Sequence, residues 1–164
     1  MTNVLTLRIG RTFQLTNVTG ARAAILILCG LTFHAWGAEA IAGSVKTAQG
    51  GAVVHRGAET IPATEGMHLL VNDILQTSAD GRLGAILQDG TGIGLGPNTQ
   101  LKIDSFIYEP ANGKLALILH LARGVLAYFS GRIAKLAPGA VTVETPVGVM
   151  GLRGTHMAVS IGGT

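Results

Sequence analysis

The sequence predicts an all-β fold, a single compact β-roll or sandwich of many short strands. Three observations support this prediction. The 164 residues fit one domain with one core. The 24 glycines and the 4% aromatic content indicate many tight turns and a core of Val, Ile, Leu and Ala. Short apolar runs follow one another closely with turn residues between them, which leaves almost no stretch for a helix.

Each expected strand is a short run with apolar alternation or β-branched residues. Gly, Asn and Asp mark the turns between them at 49–51, 79–81, 89–90 and 111–113. The longest apolar run, 115–121, suits a buried strand or a short helix, and the flanking Gly113 and Gly124 favour the strand. The expected strands are 42–47, 52–56, 68–70, 74–77, 82–87, 91–95, 100–103, 114–121, 125–129, 140–144, 149–152 and 157–161.

The N-terminal segment has the layout of a secretory signal peptide. An apolar run at 23–33, AAILILCGLTF, follows an arginine-bearing stretch and precedes the small-x-small step Ala38-Glu39-Ala40. The run has the length of a signal-peptide core and is short for a membrane span. We therefore expect a signal peptide at 1–40, cleaved after Ala40, and an exported, periplasmic domain at 41–164. The alternative is an uncleaved anchor with Trp36 at the membrane interface.

Cleavage would also remove the single cysteine, Cys29. The mature chain would then contain no disulfide, thiolate nucleophile or cysteine-based metal site.

The charge of the chain is balanced once the leader is set aside. Three of the 12 Lys and Arg residues and one of the nine acids lie in the first 40 residues, which leaves nine basic against eight acidic side chains. A nucleic-acid-binding domain needs a clustered basic face. The sequence therefore predicts no nucleic acid partner.

The stretch TVETPVGVMGLRGTHMAVS, residues 142–160, combines two strand-like runs with a turn between them. Thr145-Pro146 interrupts the first run, because proline has no N–H to donate and belongs at a strand start, edge or bulge. Gly151 and Gly154 flank Arg153, which predicts a positive φ or a close backbone approach at both glycines. Thr155 can return a hydroxyl hydrogen bond to that turn.

These residues resemble the C-terminal signature of the FecR domain family, which ends in a strand, a Thr-Pro step and a Gly-x-Arg-Gly-Thr turn before a short apolar strand. Further elements match in order between residues 41 and 161. The resemblance implies a family-signature turn that is structural or partner-binding, formed by Thr145, Pro146, Gly151, Arg153, Gly154 and Thr155. The other family-pattern positions are Asp73, Thr77, Asp89, Gly90, Asp104 and Gly124.

Arg153 has two possible roles. It could present its guanidinium to a carboxylate of a partner protein. It could equally form an internal salt bridge to Asp73, Asp104 or Glu144 that fixes the terminal strands, and this internal role is the one we favour.

The sequence predicts no enzyme, no cofactor and no metal site. The glycine-rich 92–96 leads into another strand instead of the helix that a phosphate-binding loop requires. None of the histidines at 55, 68, 120 and 156 is spaced for metal binding, although the fold could bring two together. Carboxylates could pair for glycan hydrolysis, but Asp80 and Asp89 precede glycine in turns, where the side chain bonds backbone amides.

The expected function is that of an exported, non-catalytic binding or sensory module that acts by protein–protein recognition. The family resemblance implies a periplasmic regulator that relays iron-siderophore signals, with an outer-membrane receptor or signalling domain as partner. Strand addition at an exposed sheet edge is the expected mechanism. No second domain that would bind a sigma factor is recognised, so a relay would need another protein. The alternative is a self-associating structural or assembly component of the cell envelope.

Overall fold

Strands make up nearly all of the regular structure in the computed structural model, which describes residues 40–153 and 156–162. The predicted signal peptide therefore lies outside the described residues, apart from Ala40. No helix in the described ranges is long and apolar enough to cross a membrane. The strands are β1 Ile41–Gln49, β2 Ala52–Arg56, β3 Glu59–Pro62, β4 His68–Leu70, β5 Ile74–Thr77, β6 Arg82–Leu87, β7 Gly92–Leu95, β8 Gln100–Glu109, β9 Lys114–Phe129, β10 Val141–Thr145, β11 Gly148–Gly151 and β12 His156–Ile161.

The twelve strands form one curved sheet, a half-barrel, that is organised around β9. The first part of β9 lies between antiparallel β8 and parallel β10. This first half-sheet has the order β3-β2-β5-β8-β9-β10-β11. The last part of β9 lies between β7 and β12, both antiparallel to it, and the second half-sheet has the order β4-β1-β6-β7-β9-β12. The all-β prediction is confirmed.

Gly124 marks the point at which β9 passes from one half-sheet to the other. Pairing with β8 ends at Arg123, and pairing with β7 begins at Leu126. Gly124 has φ +93°, and a Cβ there would collide with the backbone and side chain of Thr99. Only glycine combines that backbone conformation with so close an approach, so the family-pattern glycine enables the change of half-sheet.

The buried core consists mainly of Leu, Ile, Val and Ala, as the composition predicts, and Phe106 and Tyr128 are the buried aromatic residues within the described ranges. Strand alternation places this core on one face of each half-sheet. We call the opposite face of each half-sheet its outer face.

Most predicted strands are confirmed, and the differences have local causes. The apolar run at 115–121 is a strand, and it continues through Gly124 into the run at 125–129 as the single strand β9. The strand predicted at 100–103 extends to Glu109 because β9 offers it a partner along that length. β3 was not predicted, since its sequence ETIP lacks a clear alternation. The short helix α1, Arg132–Leu136, was also missed. The turn expected at 111–113 is present and includes the 3₁₀ segment Pro110–Asn112.

Candidate functional site

Asp73, the first of the family-pattern residues, is a buried structural anchor. Its two carboxylate oxygens accept hydrogen bonds from Arg56 Nε at 2.9 Å and Arg56 Nη2 at 2.7 Å. The Leu70 N–H donates to Asp73 Oδ2 at 2.8 Å. Asp73 is 1% exposed, and a buried carboxylate needs such a bidentate partner to offset its lost hydration. Asp73 thus joins β2 to the turn between β4 and β5.

Thr77 is the second anchor, and it forms a hydroxyl relay with Thr99. The Thr77 hydroxyl donates to the Gly96 carbonyl at 2.7 Å and accepts from the Thr99 N–H at 2.9 Å. The Thr99 hydroxyl accepts in turn from the Val125 N–H at 2.9 Å. Both threonines are buried. The relay therefore joins β5, the loop after β7 and the bend of β9 across the interior.

Asp89 and Gly90 form the third anchor. The Asp89 carboxylate accepts from the Thr91 N–H at 3.0 Å and from the Thr91 hydroxyl at 2.8 Å, which is the local turn that the sequence predicts. It also accepts from the Ile133 N–H at 3.2 Å, a contact that no local pattern indicates. Gly90 takes φ +84° in the turn. Asp89 therefore fixes the start of α1 as well as its own hairpin.

Asp104 lies on the outer face of the first half-sheet beside two residues of neighbouring strands. It forms an ion pair with Lys102 of the same strand. His120 of β9 and Glu144 of β10 lie next to it, and one ligand atom of each of the three residues lies within 4.8 Å of the others. No spacing along the sequence predicts this cluster, because the three residues meet only through strand pairing.

The family-signature turn is built differently from the buried anchors. β10 and β11 form a hairpin in which the Thr145 hydroxyl donates to the Gly148 carbonyl at 2.8 Å. Beyond Pro146, the side chains of Val147 and Val149 are 83% and 69% exposed. This hairpin therefore presents apolar side chains to solvent.

Gly151 and Arg153, the described residues of the Gly-x-Arg-Gly-Thr turn named by the signature, both differ from the prediction. Gly151 has neither a positive φ nor a close neighbour, so the predicted constraint at this glycine is wrong. Leu152 is buried, and its N–H donates to the Val141 carbonyl at 2.9 Å. Arg153 is exposed. Gly154 and Thr155 lie outside the described residues.

The favoured internal salt bridge of Arg153 is absent among residues 40–153 and 156–162. Asp73 pairs with Arg56 and Asp104 pairs with Lys102. Glu144 lies against His120, with 3.8 Å between Oε2 and Nδ1. All three expected partners are therefore engaged elsewhere. Arg153 lines a surface cleft of about 210 Å³ together with Tyr128, Leu152, His156 and Met157.

β12 forms an open edge of the second half-sheet, and the direction of its peptide groups follows from β9. The Val125 carbonyl accepts from the Gly96 N–H at 3.0 Å, and the Val125 N–H donates to Thr99. The main-chain N–H and C=O groups of Val125 therefore point toward β7. Because these groups alternate between the two sides of a strand, the main-chain groups of Leu126 and Tyr128 point toward β12.

The partners of those two residues on β12 are Val159 and Met157, so these bond to β9. The N–H and C=O groups of Ala158 and Ser160 must then point away from β9. Within the described ranges no other strand pairs with β12. Among the described residues, the outward N–H and C=O groups of Ala158 and Ser160 therefore have no strand partner.

The outer face beside β12 is smooth and apolar. Gly94, Ala127 and Ala158 lie opposite one another on three adjacent strands. Phe129 is 48% exposed. Its ring lies across Gly92 and meets His156 edge to face, with ring centres 5.1 Å apart. The flat row and this aromatic pair flank the open edge.

Among the described residues, Tyr128 is the buried side chain whose hydroxyl lacks a hydrogen bond of normal geometry, although the Thr91 side chain lies close enough to act on its pKa. Its backbone belongs to β9, and its ring reaches the cleft beside Arg153. Burial raises the pKa of Tyr128 above its ordinary value, because the phenolate form loses hydration.

Comparison with known proteins gives one positive finding. The model of the family described as FecR protein matches residues 73–164, whereas the sequence resemblance was traced from residue 41. The match includes Asp73, Thr77, Asp89, Gly124 and the signature turn. Searches of curated proteins and of solved structures found no significant match. Since the matched range covers more than half of the 164 residues, the chain belongs to the FecR protein family.

Proposed function

We propose that this chain is an exported, non-catalytic FecR-type regulatory domain that recognises a protein partner by strand addition at the β12 edge. The observation that carries the proposal is the outward direction of the N–H and C=O groups of Ala158 and Ser160. Such groups bind an extended peptide through the same main-chain hydrogen bonds that join strands within a sheet.

The composition of β12 supports its selection over the other sheet edges. Natural proteins protect edge strands by making them short, or by adding charge or proline. β4 has three residues, β3 carries Glu59 and ends at Pro62, and β11 has only four residues. β12 has six residues, HMAVSI, with no proline, lysine or carboxylate. An unprotected edge of this length is expected where pairing with another chain is part of the function.

The surroundings of β12 offer contacts for the side chains of an added strand. Alternate side chains of that strand would lie on the smooth outer face near Phe129 and His156. Arg153 lies in the neighbouring cleft, where its guanidinium can bind a carboxylate of the partner in a bidentate manner. Main-chain bonds would supply affinity, and these side-chain contacts would supply specificity.

The non-catalytic part of the proposal is supported by the use of the polar interior. Asp73, Asp89, Thr77 and Thr99 are buried and engaged in hydrogen bonds that hold strands together. A general acid or base must instead reach a substrate proton. Export is supported by the leader-like sequence before Ile41, and it fits the family resemblance to periplasmic regulators with an outer-membrane receptor or signalling domain as partner.

The test uses two variants at one position of the edge. Ala158→Pro removes an N–H that points away from β9, and proline is tolerated on edge strands. Ala158→Thr keeps the N–H and suits a strand. The full tagged chain is expressed in a double-membraned bacterium and used for affinity capture from envelope extract, with folding checked by circular dichroism. We expect Ala158→Thr to retain the captured partner and folded Ala158→Pro to lose it.

Equal capture by both variants would contradict strand addition at this edge. Recovery of only further copies of this chain, in large assemblies, would replace the regulatory role with the alternative of a self-associating structural component of the envelope. Both functions use an unprotected edge, so the identity of the captured chain decides between them.

A further inference from the structure

Three adjacent strands place a histidine and two carboxylates side by side on the outer face of the first half-sheet. Asp104 lies on β8, His120 on β9 and Glu144 on β10. We propose that these three residues form a binding site for a divalent transition-metal ion of the zinc class, with an open coordination position toward solvent. The site lies on the first half-sheet, whereas β12 pairs with the last part of β9 in the second half-sheet, and it does not depend on the function proposed for the β12 edge.

The geometry is close to that of a bound ion. His120 pairs with Glu144 in the parallel register of β9 and β10, and His120 Nδ1 lies 3.8 Å from Glu144 Oε2. All three ligand atoms lie within 4.8 Å of one another. Zinc bonds of about 2.0–2.2 Å in a tetrahedron place ligand atoms roughly 3.4 Å apart. Small side-chain rotations therefore suffice to close the site, without movement of the backbone.

A β-bulge brings Asp104 to this face. Ile103 pairs with Leu119 and Ser105 pairs with Ile118, which leaves Asp104 as the extra residue without a partner on β9. Bulges commonly re-aim a side chain next to a functional site. The buried residues around it, Ile103 and Phe106, keep their inward direction, so the bulge changes the position of Asp104 without disturbing the core.

The ligand types favour a borderline transition metal. Imidazole suits zinc, copper, nickel and iron, whereas calcium and magnesium prefer an all-oxygen shell. Three protein ligands leave a fourth position, as in zinc sites that bind water or a further ligand. Each of the three residues is partly exposed, so that position is open to water or to a side chain of a second molecule.

Lys102 makes the proposal sharply testable. Its ammonium group pairs with Asp104 and competes with a cation for the same carboxylate. A metal ion must displace it, so removal of this charge strengthens metal binding. If the cluster were only a surface ion-pair network, Lys102→Met would weaken it and would create no affinity for a metal.

The experiment is a calorimetric titration of the full, chelator-treated chain with Zn²⁺, and it uses protein that carries no polyhistidine tag. Co²⁺ provides a second readout, since its visible absorption reports the coordination geometry. We expect one equivalent to bind. Affinity should fall about tenfold or more in His120→Ala and Glu144→Gln and rise about twofold to fivefold in Lys102→Met. Binding should weaken in acid, because a metal competes with protons for imidazole.

His68→Ala is the matched control, since this exposed histidine lies on β4 in the other half-sheet. It should bind zinc as the parent chain does. Equal zinc binding by the parent chain and His120→Ala would overturn the proposal. Failure of the parent chain to bind both Zn²⁺ and Co²⁺ would also overturn it. Circular dichroism of each variant separates loss of the site from loss of the fold, and neither result affects strand addition at β12.

Discussion

Most residues of the FecR pattern fall into two regions that differ in burial. Asp73, Thr77 and Asp89 are buried, and each makes hydrogen bonds between segments distant in sequence. The signature turn at the C-terminal end instead presents Val147 and Arg153 to solvent. Both regions carry equally recognisable motifs. Among the described residues, the first region uses buried polar atoms to join distant segments, whereas the Thr145 hydroxyl of the second makes a local bond within its own hairpin.

The difference indicates which positions determine stability and which are available for recognition. A buried carboxylate or hydroxyl with all its hydrogen bonds formed is costly to change, because its partners lose their bonds in a place that water cannot reach. An exposed guanidinium contributes little to folding. Substitutions in the buried region should therefore reduce stability far more than substitutions in the exposed region.

Gly124→Ala should have the largest effect. A Cβ at this position meets Thr99 and must adopt φ +93°, which combines overpacking with left-handed backbone strain. We expect a loss of about 4 kcal/mol in the free energy of unfolding, measured by urea denaturation. Gly113→Ala is the control, because its φ of +66° is similar but no atom lies near its added Cβ. An equal loss in both variants would show that the approach of Thr99 is unimportant.

Asp89→Ala should cost about 3 kcal/mol, because the buried Thr91 and Ile133 N–H groups lose their acceptor. Asp89→Asn keeps one acceptor oxygen and should lose less. Urea denaturation measures both variants. A change below the error of the method for Asp89→Ala would break the assignment of Asp89 as a structural anchor.

Tyr128→Phe should increase stability by up to about 1 kcal/mol, since it removes a buried hydroxyl that lacks a hydrogen bond of normal geometry. This variant tests whether hydrogen bonding of a buried polar group affects stability in addition to its burial. The pKa of Tyr128 is raised in the folded protein, so its protonated hydroxyl contributes to stability below pH 10.0, the ordinary pKa of tyrosine. This contribution is lost as the pH rises above 10.0 and through the raised pKa. The advantage of Tyr128→Phe should therefore grow above pH 10 in thermal melts, and an advantage that shrinks there would contradict the account.

Arg153→Ala should have the smallest effect on folding, within about 0.5 kcal/mol, because Arg153 has no ion pair among the described residues. It should nevertheless reduce capture of the partner from envelope extract. Arg56→Ala provides the contrast, since this arginine pairs with buried Asp73 and its loss should cost about 3 kcal/mol. Similar stability losses in the two arginine variants would remove the distinction between the regions.

The sequence predicted the strands well where alternation and turn glycines agree, as in β5 and β6. It could not predict that β9 is continuous through Gly124, because that strand requires partners from opposite halves of the sheet. The Asp89 turn was predictable from local chemistry, whereas its bond to Ile133 spans 44 residues. The cluster of Asp104, His120 and Glu144 was likewise invisible, since parallel pairing of β9 with β10 leaves no local spacing pattern.

The role of Arg153 also could not be inferred from its turn. The sequence offers Asp73, Asp104 and Glu144 as partners of equal standing, and only the fold shows that each has another neighbour. The ion-pair partner of an arginine therefore cannot be identified from the sequence until the order of the strands in the sheet is known.

Residue-resolved amide hydrogen exchange along β12 is a direct test of strand addition at this edge. We expect the amides of Met157 and Val159 to exchange slowly, because they bond to β9, and those of Ala158 and Ser160 to exchange rapidly at an open edge. Added partner should slow the second pair. Slow exchange of Ala158 and Ser160 in the isolated protein would show that the edge is already covered, and would contradict recognition by strand addition.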